Sequence, residues 1–240
     1  MRFYCPQPLS VATDIILPEE VAHHLVRVLR SEVGTRFVLF NGEGGAYEAE
    51  LLEAGKKNAR ARLLAFEAED RQSPLPTHLG QVMSKGDRMD YAIQKATELG
   101  VTDITPLTSE RCELRLRGEE RADKKLEHWR RVAISACEQC GRNIPPRLHE
   151  PLAVADWAAQ VQAELRLVLA PAVAGALPAA QPASVALLVG PEGGLSAAEI
   201  TALRQQGFQP WQLGPRVLRT ETAPVAALAV LQSHFGDFRG

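Results

Sequence analysis

Short hydrophobic runs alternate with turn-forming residues over the first 75 positions. The runs read TRFVLF, YEAELL and ARARLLAF, and the segments NGEGGA and EAGKKN separate them. Runs of this length with glycine-rich or charged breaks between them are typical of antiparallel strands. The pattern predicts a small β-meander or β-barrel.

A segment ahead of these strands has helical spacing instead. Its apolar positions recur at the intervals of one helix face, and a glycine at position 34 lies beyond the end. These apolar positions are Val21, Leu25, Val28 and Leu29. We predict a short helix that packs on the barrel through this face.

A charged, proline-containing segment, EAEDRQSPLPTH, ends the first pattern near residue 73. Its composition is typical of a linker between two cores. Beyond it, apolar runs alternate with helical periods, in the order HLGQVM, DRMDYAIQKATELG, VTDITPL and a long helix over 124–140. This alternation predicts an α/β domain.

Two glycine-proline loops in this second part follow predicted strands. The first, PEGG, comes after SVALLVG and precedes SAAE, a capping box that begins a helix. The second, LGPRVLRTETAP, leads into a helix with Pro224 in its first turn. Loops at the carboxyl ends of parallel strands bind small ligands in α/β proteins, so we expect two neighbouring strands to form such a site. For either loop alone, the alternative is that its glycines only permit a tight turn.

The second loop carries more polar residues than a turn requires. They are Arg216, Arg219, Thr220, Glu221 and Thr222. Capping of the following helix by Thr222, with Glu221 near its positive end, would explain two of them. Capping does not explain Arg219.

The missing phosphate-binding motifs and one carboxylate narrow the choice of ligand. Neither G-x-G-x-x-G after a strand nor G-x-x-x-x-G-K-[ST] occurs, which weakens a polyphosphate ligand. Glu192 in the first loop would repel pyrophosphate but would tolerate or attract positive charge. S-adenosylmethionine carries positive charge on its sulfonium and ammonium groups, which matches the negative charge of this carboxylate.

Composition and charge serve mainly to exclude classes of protein and kinds of site. The chain has 240 residues and a net charge of −2, which gives no global sign of a nucleic-acid partner. The N-terminus lacks a signal-peptide pattern and no window reaches membrane-spanning length, so we expect a cytoplasmic protein with reduced cysteines. Cys137 and Cys140 have no second pair of ligands nearby, so no metal site is predicted.

The two loop segments, LLVGPEGGLSAAEI and LGPRVLRTETAPVAAL, closely resemble the RsmE family of 16S ribosomal RNA uridine N3-methyltransferases. The resemblance extends over the whole chain, through HHLVRVLR, FNGEGG, KGDRMDYAIQKATELGV, SER, Trp129 and EQCGR. It implies a PUA-like RNA-binding β-barrel over 1–73 and a SPOUT-type α/β methyltransferase domain over 74–240. In such domains a deep trefoil knot forms the cofactor pocket at a homodimer interface. Periodicity alone would not predict the knot, because threaded chains are rare.

The resemblance also implies S-adenosylmethionine as the cofactor, held by the two loops. Its expected contacts are Leu188, Val189, Gly190, Glu192, Gly193, Gly194, Leu213, Gly214, Val217, Leu218 and Thr220. Methyl transfer to uracil N3 further requires removal of the N3 proton and stabilisation of the resulting anion. We expect Arg219 to stabilise charge at a uracil carbonyl, with Glu221 or Glu192 as alternative bases.

The implied partner is 16S ribosomal RNA within the small subunit. Candidate RNA contacts are His23, His24, Arg27, Arg30 and Arg142, the last of them expected to point across a dimer interface. A solvated helix face is the alternative for the basic helix positions, and it is at least as good an explanation for the basic hairpin over 56–62.

Two other classes of protein compete with a methyltransferase. A nucleotide-dependent α/β oxidoreductase would need the missing dinucleotide fingerprint. A noncatalytic ribosome-assembly factor would have no reason to keep both glycine-proline loops intact. Methylation at another nucleotide or ring atom is the remaining alternative.

Overall fold

The computed structural model describes residues 1–55, 58–114, 118–170 and 177–238. Contacts between Cα atoms divide the chain into two units. The first comprises Met1–Gln72 and Cys137–Pro145, and the second comprises Ser73–Ala136 and Pro146–Gly240. Lys56 and Lys57 of the basic hairpin lie outside the described residues.

The first unit contains a five-stranded sheet. Its strands are β1 (Arg2–Tyr4), β2 (Asp14–Ile16), β3 (Arg36–Phe40), β4 (Ala46–Ala54) and β5 (Ala59–Glu67). The order is β1-β3-β4-β5-β2, with β1 parallel to β3 and the other pairs antiparallel. Leu39, Leu51 and Leu63 lie on β3, β4 and β5 and are fully buried in the core of this unit. The three hydrophobic runs seen in the sequence therefore form the predicted antiparallel meander.

The helix predicted ahead of β3 departs from α-helical geometry. Helix α1 covers only Glu19–Ala22, and a π-helical segment continues over His23–Val28. Val21 and Leu25 are buried, but Val28 and Leu29 are exposed, so their predicted place on the buried face is wrong. A π-helical turn is wider than an α-helical turn, and it rotates the positions after Leu25 away from the core.

The second unit is built on a sheet of parallel strands, which confirms the predicted α/β alternation. Its described strands are β6 (Thr77–Val82), β7 (Asp103–Thr108), β8 (Arg147–Leu148), β9 (Leu152–Ala153), β10 (Leu165–Leu169), β11 (Val185–Val189) and β12 (Gln209–Trp211). The order is β12-β10-β11-β6-β7-β8, and β9 pairs with β7. All of these pairs are parallel. The central strand β11 is buried along its whole length, as its uninterrupted apolar sequence requires.

Five helices of the described chain accompany this sheet. They are α2 (Arg88–Glu98), α3 (Glu119–Cys140), α4 (Val154–Gln160), α5 (Ala197–Gln205) and α6 (Thr222–Phe235). No helix among the described residues is long and apolar enough for a membrane span.

The two helices that follow the glycine-proline loops begin differently. Ser196 and Glu199 form the predicted capping box of α5, each side chain accepting a hydrogen bond from the other residue's backbone N–H. Helix α6 begins at Thr222, its N-cap residue is Glu221, and no side chain caps it. The expected capping by Thr222 is therefore wrong. As a result, the Glu221 carboxylate is not used to cap its own helix.

A buried tryptophan joins α2 to α3. Trp129 is fully buried, and its Nε1–H donates a 3.0 Å hydrogen bond to Oδ1 of Asp90. The same carboxylate contacts His128 through its other oxygen at 2.5 Å. The packing of these two helices thus depends on a large apolar side chain and on one shared carboxylate.

All four cysteines are free thiols, as expected. Burial raises the pKa of Cys5 to about 11 and that of Cys137 to about 12. Both side chains therefore remain protonated at neutral pH and act as small core residues.

Candidate functional site

The two glycine-proline loops lie at one edge of the parallel sheet of the second unit. One follows β11 and the other follows β12, but β10 lies between these strands in the sheet. The expectation that β11 and β12 are neighbours is therefore wrong. Because the three strands are parallel, their carboxyl ends share one edge, and the end of β10 at Leu169 and Ala170 contributes to the floor between the loops.

A cavity of about 910 Å³ opens between the loops. It is lined by every predicted cofactor residue except Leu188 and Gly193, and by Arg219, Glu221 and Glu192. Leu188 is fully buried within β11, one residue before the lining begins. The structure thus brings together two loops that are about twenty positions apart in the sequence.

The first loop favours glycine at two positions. The Gly194 N–H donates to the carbonyl oxygen of Pro191 at 2.9 Å and closes a tight turn, with φ of +67° at Gly194. At Gly190, a Cβ atom would lie only 3.1 Å from Cγ of Leu195. The tight-turn explanation of these glycines and the binding-site explanation are therefore compatible, since the turn forms one wall of the cavity.

A chain of hydrogen bonds joins the two loops behind the cavity. The Thr220 hydroxyl donates to the carbonyl oxygen of Gly190 at 3.1 Å, and it accepts a 3.3 Å hydrogen bond from Nε2 of Gln81. Thr220 and Gln81 are both buried. Gln81 comes from β6, the strand beside β11, and no pattern in the sequence singles it out.

The two candidate bases have different environments. Glu192 is exposed and accepts a 2.6 Å hydrogen bond from Nη1 of Arg88, which raises the pKa of the Arg88 guanidinium. Glu221 is half-buried, and its Oε2 atom is fully buried without a hydrogen-bond partner among the described residues. One carboxylate at this cavity is therefore held by a cation, while the other has a buried acceptor atom that no described group satisfies.

The rest of the lining combines an apolar wall with a basic rim. Trp211, Leu195 and Ile200 supply apolar surface, and Arg216 and Arg219 are exposed cations. An apolar slot beside backbone polar groups suits a flat heterocycle, and exposed arginines suit an anionic or carbonyl-bearing substrate. Sequence reasoning missed Arg88, Trp211 and Ile200, although Arg88 lies within the motif KGDRMD.

The predicted RNA contacts fall into two groups within the first unit. His23, His24, Arg27 and Arg30 are all exposed, on the π-helical segment and just beyond it. Arg142 is only 3% exposed, and its Nη2 atom donates to Oε1 of Gln72 at 2.6 Å. The structure does not bring Arg142 to the surface with the other four, and its expected role across a dimer interface stays a prediction.

Comparison with protein families gives two matches. A model described as an RNA methyltransferase domain matches residues 71–232, and one described as an RNA methyltransferase PUA domain matches residues 17–64. The first model alone covers more than half of the chain.

Individual relatives agree with these models. The ribosomal RNA small subunit methyltransferase E of Buchnera aphidicola (subspecies Schizaphis graminum) is 38% identical over 98% of this chain and 97% of its own length. That of Bacillus subtilis is 30% identical over 98% of this chain and 95% of its own length.

Two solved structures are similar over nearly the whole chain. The Neisseria gonorrhoeae ribosomal RNA small subunit methyltransferase E bound to S-adenosyl methionine has a TM-score of 0.92 and 40% identity, covering 99% of this chain and 98% of that one. A Legionella pneumophila protein in complex with the bound cofactor SAM has a TM-score of 0.95 and 42% identity, with the same coverage. Together with the loops and the cavity, these matches show that the chain belongs to the ribosomal RNA small subunit methyltransferase E family.

Proposed function

We propose that this protein transfers the methyl group of S-adenosylmethionine to N3 of a uracil base in 16S ribosomal RNA of the small subunit. The observation that carries the proposal is the cavity between the two glycine-proline loops, which joins an apolar slot to a buried, unpartnered carboxylate oxygen of Glu221. The Neisseria gonorrhoeae relative, solved with this cofactor, supports the choice of methyl donor.

The residues of the cavity fit such a cofactor. The backbone groups of Gly190, Leu213 and Leu218 border the slot and would meet the polar edge of adenine. Arg88 contacts Oε1 of Glu192, so the second carboxylate oxygen is the one that would face a sulfonium or ammonium group. When bound, S-adenosylmethionine supplies an electrophilic methyl group. The chain itself supplies position, because Thr220 fixes the spacing of the two loops.

Of the two alternative bases, we propose Glu221. The Arg88 guanidinium already holds Glu192, so proton acceptance there would weaken an ion pair. The unpartnered oxygen of Glu221 is buried in the free protein, so a turn of this cavity-lining carboxylate toward the base would let it accept a hydrogen bond from uracil N3–H and then the proton itself. Arg219, exposed on the cavity rim, would donate to a uracil carbonyl oxygen as negative charge develops there.

The combination of Glu221 as acceptor and Arg219 as donor also accounts for a preference for uracil. The uracil edge presents a carbonyl acceptor, the N3–H donor and a second carbonyl acceptor. A carboxylate acceptor for N3–H, together with the Arg219 donor for one carbonyl, complements two positions of that order. Cytosine has a lone pair at N3 instead of a hydrogen, so it would leave the Glu221 oxygen facing another acceptor. A buried polar group left unpaired in this way discriminates strongly against the wrong base.

The finer architecture is also proposed here. We propose that residues 1–73 form a PUA-like β-barrel that holds RNA, and that residues 74–240 form a SPOUT-type domain with a deep trefoil knot. The proposed assembly is a cytoplasmic homodimer whose interface contains the cofactor pocket.

The direct test is to incubate the protein with labelled S-adenosylmethionine and small ribosomal subunits that lack their natural methyl groups. We expect label in 3-methyluridine at one site, identified by digestion and mass spectrometry. Label in a different nucleoside would overturn the proposed substrate atom. Cofactor binding without transfer to any subunit RNA would overturn 16S RNA as the substrate.

Arg27 and Arg30 give a separate prediction about RNA binding. Replacing both with alanine is expected to weaken binding and to make log K less dependent on log salt. On duplex-like RNA the slope should fall by about 0.9 for each phosphate that an arginine no longer neutralises. Both side chains are exposed, so the change should leave the fold intact.

The matched control is Arg36→Ala, an exposed arginine on β3 that pairs with Glu48. Affinities measured over a series of salt concentrations should separate the two variants. If log K depended on log salt with the same slope in the double variant and the unchanged protein, Arg27 and Arg30 would not neutralise RNA phosphates.

A further inference from the structure

Two histidines and an aspartate meet at the edge of the parallel sheet opposite the cavity. His78 is near the start of β6, Asp103 begins β7, and His149 follows β8. These are the amino ends of the strands, whereas the glycine-proline loops follow carboxyl ends. One potential ligand atom from each residue lies within 4.8 Å of the other two.

The geometry of this cluster is set by three strands. Nε2 of His149 lies 2.7 Å from Oδ1 of Asp103, and the rings of His78 and His149 stack with centroids 5.0 Å apart. Nε2 of His78 is 2.8 Å from the Thr105 hydroxyl oxygen and accepts a 3.3 Å hydrogen bond from the Nε1–H of Trp157, a bond that an ion bound at Nε2 would replace. Asp103 is buried, whereas the His149 side chain is 42% exposed and has room to move.

The cluster opens into a separate cleft of about 490 Å³ in the second unit. His78, Asp103 and His149 all line it, together with Thr105 and Trp157. A ligand or water bound to the cluster would therefore have space around it, as an open coordination position needs.

We propose that His78, Asp103 and His149 bind a divalent transition-metal ion of the zinc class. Two imidazoles and one carboxylate are a usual set of three protein ligands for such an ion, with the fourth position left open. Ligand atoms at about 2.0–2.1 Å from a tetrahedral ion stand about 3.3 Å apart. The distance from Nε2 of His149 to Oδ1 of Asp103, 2.7 Å, is shorter than that value, so the exposed His149 would move slightly away from Asp103 when an ion binds between them.

The positive charge of Arg147 disfavours a cation at this cluster, so replacing Arg147 gives the sharpest test of the proposed site. Its guanidinium donates to both Asp103 oxygens, at 2.8 and 2.9 Å. A fixed positive charge beside the ligand weakens cation binding, although the Arg147 side chain is 77% exposed and can turn toward solvent. Removing this charge should therefore strengthen metal binding. A purely structural network of the same residues gives no reason for such an increase.

The ion would join β6, β7 and the residue after β8. Because it would bind the folded chain and not the unfolded one, it would also stabilise the protein. The inference does not depend on the proposed methyl transfer, since the cluster and the cavity lie at opposite edges of the sheet.

The experiment uses the full-length, untagged protein after treatment with a chelator. We would titrate it with Zn²⁺ by calorimetry and with Co²⁺ by visible absorption, and would measure melting temperature with and without Zn²⁺. We expect one ion per chain and a rise in melting temperature of about 5 °C at saturating Zn²⁺.

Three variants locate the ion. His149→Ala should lower affinity at least about tenfold, Arg147→Gln should raise it, and His234→Ala, which alters an exposed histidine on α6, should leave it unchanged. The metal-free melting temperature of each variant shows that it folds. No binding by the unchanged protein, or equal binding by His149→Ala, would overturn the proposal. Weaker binding by Arg147→Gln would do the same.

Discussion

Replacing Glu221 with glutamine is expected to lower the rate of methyl transfer by about 10²- to 10⁴-fold, with little change in the affinity for S-adenosylmethionine. Glutamine keeps the shape of the side chain but cannot accept the N3 proton. The rate should be measured in a single turnover with saturating cofactor and subunits, so that product release does not hide the chemical step. Cofactor affinity is measured separately by calorimetry.

The matched variant is Glu192→Gln, on the facing wall of the same cavity. Arg88 already holds this carboxylate. Loss of the carboxylate charge should therefore mainly shift the position of the loop and should affect proton transfer less. A smaller decrease in rate, accompanied by weaker cofactor binding, is expected. The assignment of the base would have to be reversed if Glu192→Gln lost more of the single-turnover rate than Glu221→Gln.

Replacing Trp129 with alanine is expected to lower the free energy of unfolding by about 3–5 kcal/mol. The side chain is fully buried, so its removal leaves a cavity between α2 and α3 and leaves Oδ1 of Asp90 without its indole donor. Urea unfolding followed by far-ultraviolet circular dichroism is the appropriate measurement, since removing a tryptophan alters fluorescence directly. The unfolding transition of each unit should be followed, because a chain with two units need not unfold in one step.

Two further variants divide this effect into its parts. Trp129→Phe retains most of the apolar volume but removes the N–H donor, so it should cost less, about 1–3 kcal/mol. Arg131→Ala changes an exposed residue of the same helix and should stay within about 0.5 kcal/mol of the unchanged protein. If Trp129→Ala were no more destabilising than Arg131→Ala, the packing of α2 on α3 would not depend on this residue.

The sequence predicted the parts of the site that follow one another along the chain. The glycine positions, the capping box at Ser196 and the polar cluster at Arg219 and Glu221 were all identified from local patterns. Their local structure depends on backbone geometry and nearby hydrogen bonds, which short-range sequence specifies.

Residues that join the site from elsewhere in the sheet were not predicted. Gln81 and Arg88 contact Thr220 and Glu192 only because β6 and α2 pack beside the loops. The place of β10 between β11 and β12 likewise depends on strand order, which no spacing encodes. The same reason hides His78, Asp103 and His149, since their three strands are far apart in the sequence.

The π-helical segment shows a different limit of prediction from hydrophobic spacing. Val28 and Leu29 have the correct spacing for an α-helical face, and they are exposed because the turn before them is wider. Hydrophobic periodicity assumes a fixed number of residues per turn, so a change of helix type within six residues is invisible to it.

The hydroxyl of Thr220 acts as a fixed spacer between two chain segments. It stands 3.1 Å from the carbonyl oxygen of Gly190 and 3.3 Å from the Gln81 amide, so it tolerates almost no change in separation. One inserted residue can lengthen a segment by about 3.3–3.6 Å, which is at least the length of either hydrogen bond. These loops are therefore constrained in length more than in composition, and natural variation should replace their side chains far more often than it adds or deletes a residue.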